Sequence, residues 1–112
     1  MDSLLPSLKQ YLPKLIEGIG AMSEHFHSGQ YGEGEKLLVQ VNEGLEWVMK
    51  AYTGIPGFEI EKIQGINAFL GEIVNALTVK DYVLIADLFE YEIKQALSEI
   101  LVDMGRADLK NN

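Results

Sequence analysis

The sequence predicts an all-α fold: an up-down-up-down four-helix bundle that occupies residues 1–112 as a single domain. Apolar residues recur at steps of three and four through four segments, as expected for amphipathic helices. Short stretches rich in glycine, proline and polar residues separate the segments, and no segment alternates as a strand would. A chain of 112 residues has the common size of one domain with one core.

The first helix is expected over residues 3–27, with Ser3 as its N-cap. Pro13 should kink this helix or divide it into a short and a longer one, because proline lacks an N–H and crowds the preceding turn. The apolar stripe consists of Leu8, Leu12, Leu15, Ile19, Met22 and Phe26.

The second helix is expected over residues 31–53, after the break at Ser28-Gly29-Gln30. Gly54-Ile55-Pro56-Gly57 should end it, because proline cannot continue a helical ladder. Its stripe consists of Gly34, Leu38, Val41, Leu45, Val48 and Tyr52.

The last two helices are expected over residues 58–78 and 81–104, with Gly105 as the final C-terminal cap. The inward residues of the third are Ile63, Ile66, Leu70, Ile73, Val74 and Leu77. Those of the fourth are Tyr82, Ile85, Ala86, Phe89, Ile93, Leu97, Ile100 and Met104.

The two halves of the chain match weakly at an offset of 51 residues, for example Tyr31 with Tyr82 and Leu37-Leu38 with Leu88-Phe89. Any two helical hairpins would share much of this pattern, so the bundle as two related hairpins stays an open alternative.

Four short motifs carry a resemblance to a known family. They are Gly29-Gln30-Tyr31, Gly44-Leu45-Glu46-Trp47, Lys80-Asp81-Tyr82 and Ala86-Asp87-Leu88-Phe89-Glu90-Tyr91-Glu92. With these motifs the chain resembles a family of short uncharacterised helical proteins from Gram-positive bacteria. The resemblance implies a helical bundle and no particular function.

The charge balance disfavours nucleic acids and membranes as partners. Seventeen acidic residues against nine basic ones give a net charge of -8, which repels phosphate backbones and anionic lipid headgroups. No uncharged apolar run approaches the ~18 residues that span a bilayer. The chain has no cysteine and therefore no disulfides. A cytoplasmic location is expected.

No motif for catalysis, a cofactor or a metal ion is recognisable. His25 and His27, the only histidines, are separated by about 200° on a helix, so both rings cannot reach one ion. Five scattered serines and two histidines at one helix end favour no hydrolase triad. We therefore expect no catalytic residues, no cofactor, no metal site and no enzymatic activity.

Surplus apolar residues outside the predicted core are the most informative feature. Trp47 lies roughly 140° from the centre of the second stripe, on a face with Gln40, Glu43 and Lys50. A second stripe on the fourth helix consists of Leu84, Leu88, Tyr91 and Val102. These residues are either an interaction surface, or part of a core in which the fourth helix is central and Trp47 lies flat on its neighbours.

The sequence therefore favours a non-enzymatic protein-protein interaction module that binds a protein partner or itself, most simply as a homodimer. A small export or flagellar-type chaperone is an alternative within binding proteins, on fold analogy alone. A ligand- or metal-binding bundle or an enzyme is the alternative from another class.

Overall fold

The computed structural model describes residues 4–55, 57 and 60–111, with side chains up to residue 105. Four helices and no strand occur in this part of the chain, which confirms the predicted bundle. The first three are α1 (Leu4–His27), α2 (Tyr31–Thr53) and α3 (Glu61–Thr78). The fourth helix is continuous and consists of α4 (Tyr82–Asp87), a π-helical segment (Leu88–Ile93) and α5 (Lys94–Asn111).

Two features of the helix limits differ from the prediction. Helix α1 runs through Pro13 as one helix, so the predicted division into a short and a longer helix does not occur, and Pro13 is exposed. Helix α5 continues past Gly105 instead of ending there. The predicted roles of Ser3 and Pro56 lie outside the described residues.

The turns after α1 and α3 have the same geometry. After α1, Gly29 has φ +79°, and the N–H groups of Gly29 and Gln30 donate to the carbonyls of Phe26 and His25. This is a Schellman motif, which satisfies the last carbonyls of a helix.

After α3, Lys80 takes the left-handed conformation with φ 56°. The N–H groups of Lys80 and Asp81 donate to the carbonyls of Leu77 and Ala76. These two turns are 51 residues apart, at the offset at which the two halves of the sequence match.

The π-helical segment accommodates one extra residue in the fourth helix. Buried residues of α2 follow steps of 4, 3, 4, 3 and 4, whereas those of the fourth helix follow 4, 4, 4, 3 and 4. Three steps of four would turn the apolar stripe by about 120° on a regular α-helix. The N–H of Lys94 instead donates to the carbonyl of Phe89, five residues back, and this wider turn keeps the stripe on one face. The aligned core residues of the fourth helix are Ile85, Phe89, Ile93, Leu97, Ile100 and Met104.

Helices α1 and the fourth helix lie at the centre of the bundle. Helix α2 packs on α1, α3 packs on the fourth helix, and α1 packs along the fourth helix. The predicted core residues of α1 and α2 are all buried. On α3, however, Val74 and Leu77 are exposed, and Ala76 is buried in their place. Helix α3 buries four residues, whereas α2 buries eight.

An aromatic stack joins the two hairpins at the end that carries the Schellman turns. The ring of Tyr82 lies between Phe26, with centroids 5.4 Å apart, and Tyr31, with centroids 4.4 Å apart. The Tyr82 hydroxyl donates to Oε2 of Glu35 at 3.4 Å. Desolvation by the packed rings raises the pKa of Tyr82, and the carboxylate of Glu35 raises it further.

Candidate functional site

Trp47 projects from α2 at the edge of an open groove between α1 and α2. Its side chain is 40 % exposed, and its indole meets the ring of Tyr11 edge-on, with centroids 5.4 Å apart and planes at 83°. Edge-to-face contacts of this kind hold an aromatic ring in a defined orientation. Trp47 is therefore supported from one side by α1 and open to solvent on the other.

Gly44 allows Tyr11 to lie across the backbone of α2. A Cβ atom at Gly44 would collide with the Tyr11 hydroxyl and would come within 3.1 Å of Cδ1 of Leu15. Glycine in the middle of a helix costs about 1 kcal/mol relative to alanine. Its presence here lets the two helices approach closely and fixes the position of the ring that supports Trp47.

The groove has a volume of about 530 Å³ and combines an aromatic wall with polar and charged edges. Its lining residues are Ser7, Gln10, Tyr11, Lys14, Gln40, Glu43, Gly44 and Trp47. A smaller cavity of about 130 Å³ adjoins it and shares Tyr11, Lys14 and Gln40. The smaller cavity extends the groove along the helices over an apolar floor that includes Leu37 and Val41.

The two charged residues of the groove stand on opposite walls. Lys14 is on α1 and Glu43 is on α2, and both are exposed. Within the described part of the chain neither of them forms an ion pair, whereas the neighbouring charges of α2 pair locally as Glu33 with Lys36 and Glu46 with Lys50. The groove thus offers one uncompensated charge of each sign beside an exposed indole.

The predicted surface on the fourth helix is not continuous. Tyr91 is 68 % and Val102 55 % exposed, but the exposed residues between them include Gln95 and Glu99. Leu84 is 42 % exposed and lies near the turn after α3, two helical turns from Tyr91. The fourth helix therefore presents single apolar side chains and no stripe.

Leu88 does not belong to any exposed surface. It is only 9 % exposed and is part of the hydrophobic core, so its assignment to an interaction surface is corrected. Leu88 is the first residue of the π-helical segment, and both Leu88 and Phe89 are buried in the core.

Sequence reasoning identified Trp47 with Gln40 and Glu43, but it missed Tyr11 and Gly44. Lys50, expected on the same face, pairs with Glu46 at 3.7 Å and does not line the groove. The available signal was Gly44 itself, since a glycine inside a long helical pattern often marks a close approach.

The two histidines have separate partners. Nδ1 of His25 hydrogen-bonds Oε1 of Gln30, and Nε2 of His27 lies 3.9 Å from Oδ1 of Asp87. His27 also lines a cavity of about 380 Å³ between α1 and the π-helical segment. No group of three or more histidine, aspartate or glutamate side chains suited to a metal ion occurs among the described residues.

Comparison with known proteins gives a family. A family model described as a domain of unknown function, DUF8042, matches residues 3–102, and the chain belongs to this family. No curated protein and no solved structure matches the chain. None of the helices in the described ranges is long and apolar enough to span a bilayer. Family membership confirms the resemblance to an uncharacterised family and assigns no activity.

Proposed function

We propose that this member of the DUF8042 family is a non-enzymatic interaction protein that self-associates through the Trp47 groove. One observation carries the proposal: a half-exposed indole is held edge-on by Tyr11 over Gly44, beside an open groove. Exposed, rigidly supported tryptophans are frequent hot spots of protein interfaces. Holding Trp47 in place before association reduces the entropy that binding must overcome.

The distribution of charge makes the side formed by α1 and α2 the least repulsive one for a second copy. Residues 4–53 carry four lysines and six glutamates, whereas residues 60–105 carry three lysines and eight acidic residues. Two acidic molecules repel each other most strongly through α3 and the fourth helix, and least through α1 and α2. Helix α2 also packs mainly on α1, so its outward side is open to a neighbour.

Sedimentation velocity across a micromolar concentration series tests the proposal. The wild-type chain is expected to dimerise, and Trp47→Ala is expected to weaken the dimer by about 30-fold or more, the loss typical of a hot-spot residue. Val39→Ala is the matched control, because Val39 is an exposed apolar residue of α2 that does not line the groove. Tyr91→Ala tests the competing surface on the fourth helix.

The fluorescence of Trp47, the single tryptophan, gives an independent measurement. Emission should shift to the blue as the protein concentration rises and the indole leaves water. A chain that remains monomeric at all concentrations, or a dimer that Trp47→Ala leaves intact, would contradict the proposal. A dimer lost in Tyr91→Ala but kept in Trp47→Ala would assign the interface to the fourth helix instead.

A further inference from the structure

We infer that two copies meet about a two-fold axis parallel to α1 and α2, so that Lys14 of each copy faces Glu43 of the other. This inference rests on the proposed self-association and specifies its geometry. It depends on the levels of the two residues along the hairpin, on their lack of an ion-pair partner among the described residues, and on the symmetry of a homodimer.

The contacts between α1 and α2 place Lys14 and Glu43 at nearly the same height. Leu15 lies level with Gly44, since its Cδ1 is 3.1 Å from a Cβ built there, and Val41 lies level with Gly18 in the same way at 4.0 Å. Helices α1 and α2 are antiparallel because only residues 28–30 connect them. Lys14 therefore lies within about half a helical turn of the level of Glu43, across the groove.

Two limiting axes can bring the same face of two copies together. An axis across the helices places α1 over α1 and α2 over α2 of the second copy, and when it passes at the level of Lys14 and Glu43, Lys14 opposes Lys14 and Glu43 opposes Glu43. An axis along the helices leaves each residue at the same level along the helix direction and places α1 over α2 of the second copy. Lys14 then opposes Glu43 twice in each dimer, and Trp47 meets the side of the groove that holds Tyr11.

The charges select the second arrangement. Like charges that face each other at an interface oppose association, whereas opposite charges orient the two partners. Because Lys14 and Glu43 have no ion-pair partner among the described residues of their own chain, no internal ion pair must break before they meet. The symmetric pairing also balances charge locally in a chain of net charge -8.

Charge reversal separates this geometry from a general effect of net charge. Lys14→Glu and Glu43→Lys are each expected to weaken the dimer by at least about tenfold at low salt, because each creates two like-charged pairs. If net charge alone controlled dimerisation, Glu43→Lys would instead dimerise more tightly, since this change lowers the net negative charge of the chain. The double variant should return to within about threefold of the wild-type dissociation constant, because it restores both pairs with reversed polarity.

Two controls complete the experiment. Lys36→Glu changes the net charge as Lys14→Glu does, but Lys36 pairs with Glu33 outside the groove, so it should leave the dissociation constant within about threefold of the wild-type value. An equimolar mixture of Lys14→Glu and Glu43→Lys chains should form a heterodimer, and high salt should reduce the differences among variants.

The outcomes distinguish a wrong dimer geometry from a wrong assignment of self-association. If the wild-type dimer is lost in Trp47→Ala but both single charge variants dimerise as tightly as wild type, the geometry is wrong and the self-association stands. If one variant weakens and the other tightens the dimer, net charge alone acts and the geometry is again wrong. A wild-type chain without a dimer overturns the proposed function itself.

Discussion

Replacement of Gly34 by alanine tests how tightly α1 and α2 pack near the aromatic stack. A Cβ atom there would lie 2.5 Å and 2.6 Å from two ring atoms of Phe26, about an ångström inside the optimal carbon-carbon distance of ~3.5–4.0 Å. The Phe26 ring is buried and stacked on Tyr82, so it has little freedom to move aside. Overpacking of this kind costs about 1–3 kcal/mol.

Alanine also brings a gain that partly offsets this cost. Removing a glycine from a helix contributes up to about 1 kcal/mol, so Gly34→Ala should lose up to about 2 kcal/mol of unfolding free energy overall and should be about 1–3 kcal/mol less stable than an alanine variant without the overlap. Gly32→Ala in the same helix is the matched control, since a Cβ atom at Gly32 would have no atom within 4 Å beyond its own stretch of helix backbone. It should be neutral or stabilising by up to about 1 kcal/mol.

Urea unfolding followed by far-ultraviolet circular dichroism measures both variants. Phe26→Leu shortens the side chain that opposes Gly34. In that background Gly34→Ala should cost at least about 1 kcal/mol less than in the wild type. A Gly34→Ala variant as stable as Gly32→Ala would refute the close packing of Phe26 against α2.

Two further predictions concern the fourth helix. Leu88→Ala should lower the free energy of unfolding by about 2–3 kcal/mol because Leu88 is in the core. Val102→Ala should change it by no more than about 0.5 kcal/mol because Val102 is exposed. Equal effects of the two variants in urea unfolding would contradict this difference in burial. The pKa of Tyr82 is raised in the folded chain, so folding favours the neutral phenol over the phenolate. The neutral phenol's contribution to the free energy of unfolding is complete below about pH 10 and is lost as the pH rises through the pKa of the folded chain. Tyr82→Phe should remove that part of the alkaline loss of stability, and an unchanged alkaline unfolding curve would contradict the stacked, Glu35-bonded geometry.

The sequence predicted the helices well because each carries a long, regular apolar stripe. The core residues of α1, from Leu8 to Phe26, follow steps of three and four without exception, and a straight helix buries them on one side. The regular pattern of α2 made Trp47 stand out as a residue that the core does not need. The pattern of α2 could not identify Tyr11 as the ring that supports Trp47, because Tyr11 lies on α1 and the contact joins two helices.

Predictions from regular α-helix geometry failed in the fourth helix, where the spacing of the apolar residues departs from that geometry. Three successive steps of four, from Ile85 to Leu97, indicate an extra residue in the fourth helix. A helical wheel does not show it, because the wheel assumes the same rotation per residue along the whole helix. The resulting π-helical segment begins at Leu88, which is buried, whereas Leu84, Tyr91 and Val102 are exposed. Val74 and Leu77 were misplaced for another reason: how much of α3 is covered depends on its neighbours.

By itself the sequence determined the number and approximate limits of the helices, since local periodicity and turn residues such as Ser28-Gly29-Gln30 fix these along the chain. The tertiary structure alone decided which surplus apolar residues reach solvent. Burial of Leu88 depends on how neighbouring helices pack on the fourth helix. The support of Trp47 by Tyr11 depends on the close approach that Gly44 permits between α1 and α2. Contacts between helices are set by packing of distant segments, and no pattern within one helix contains that information.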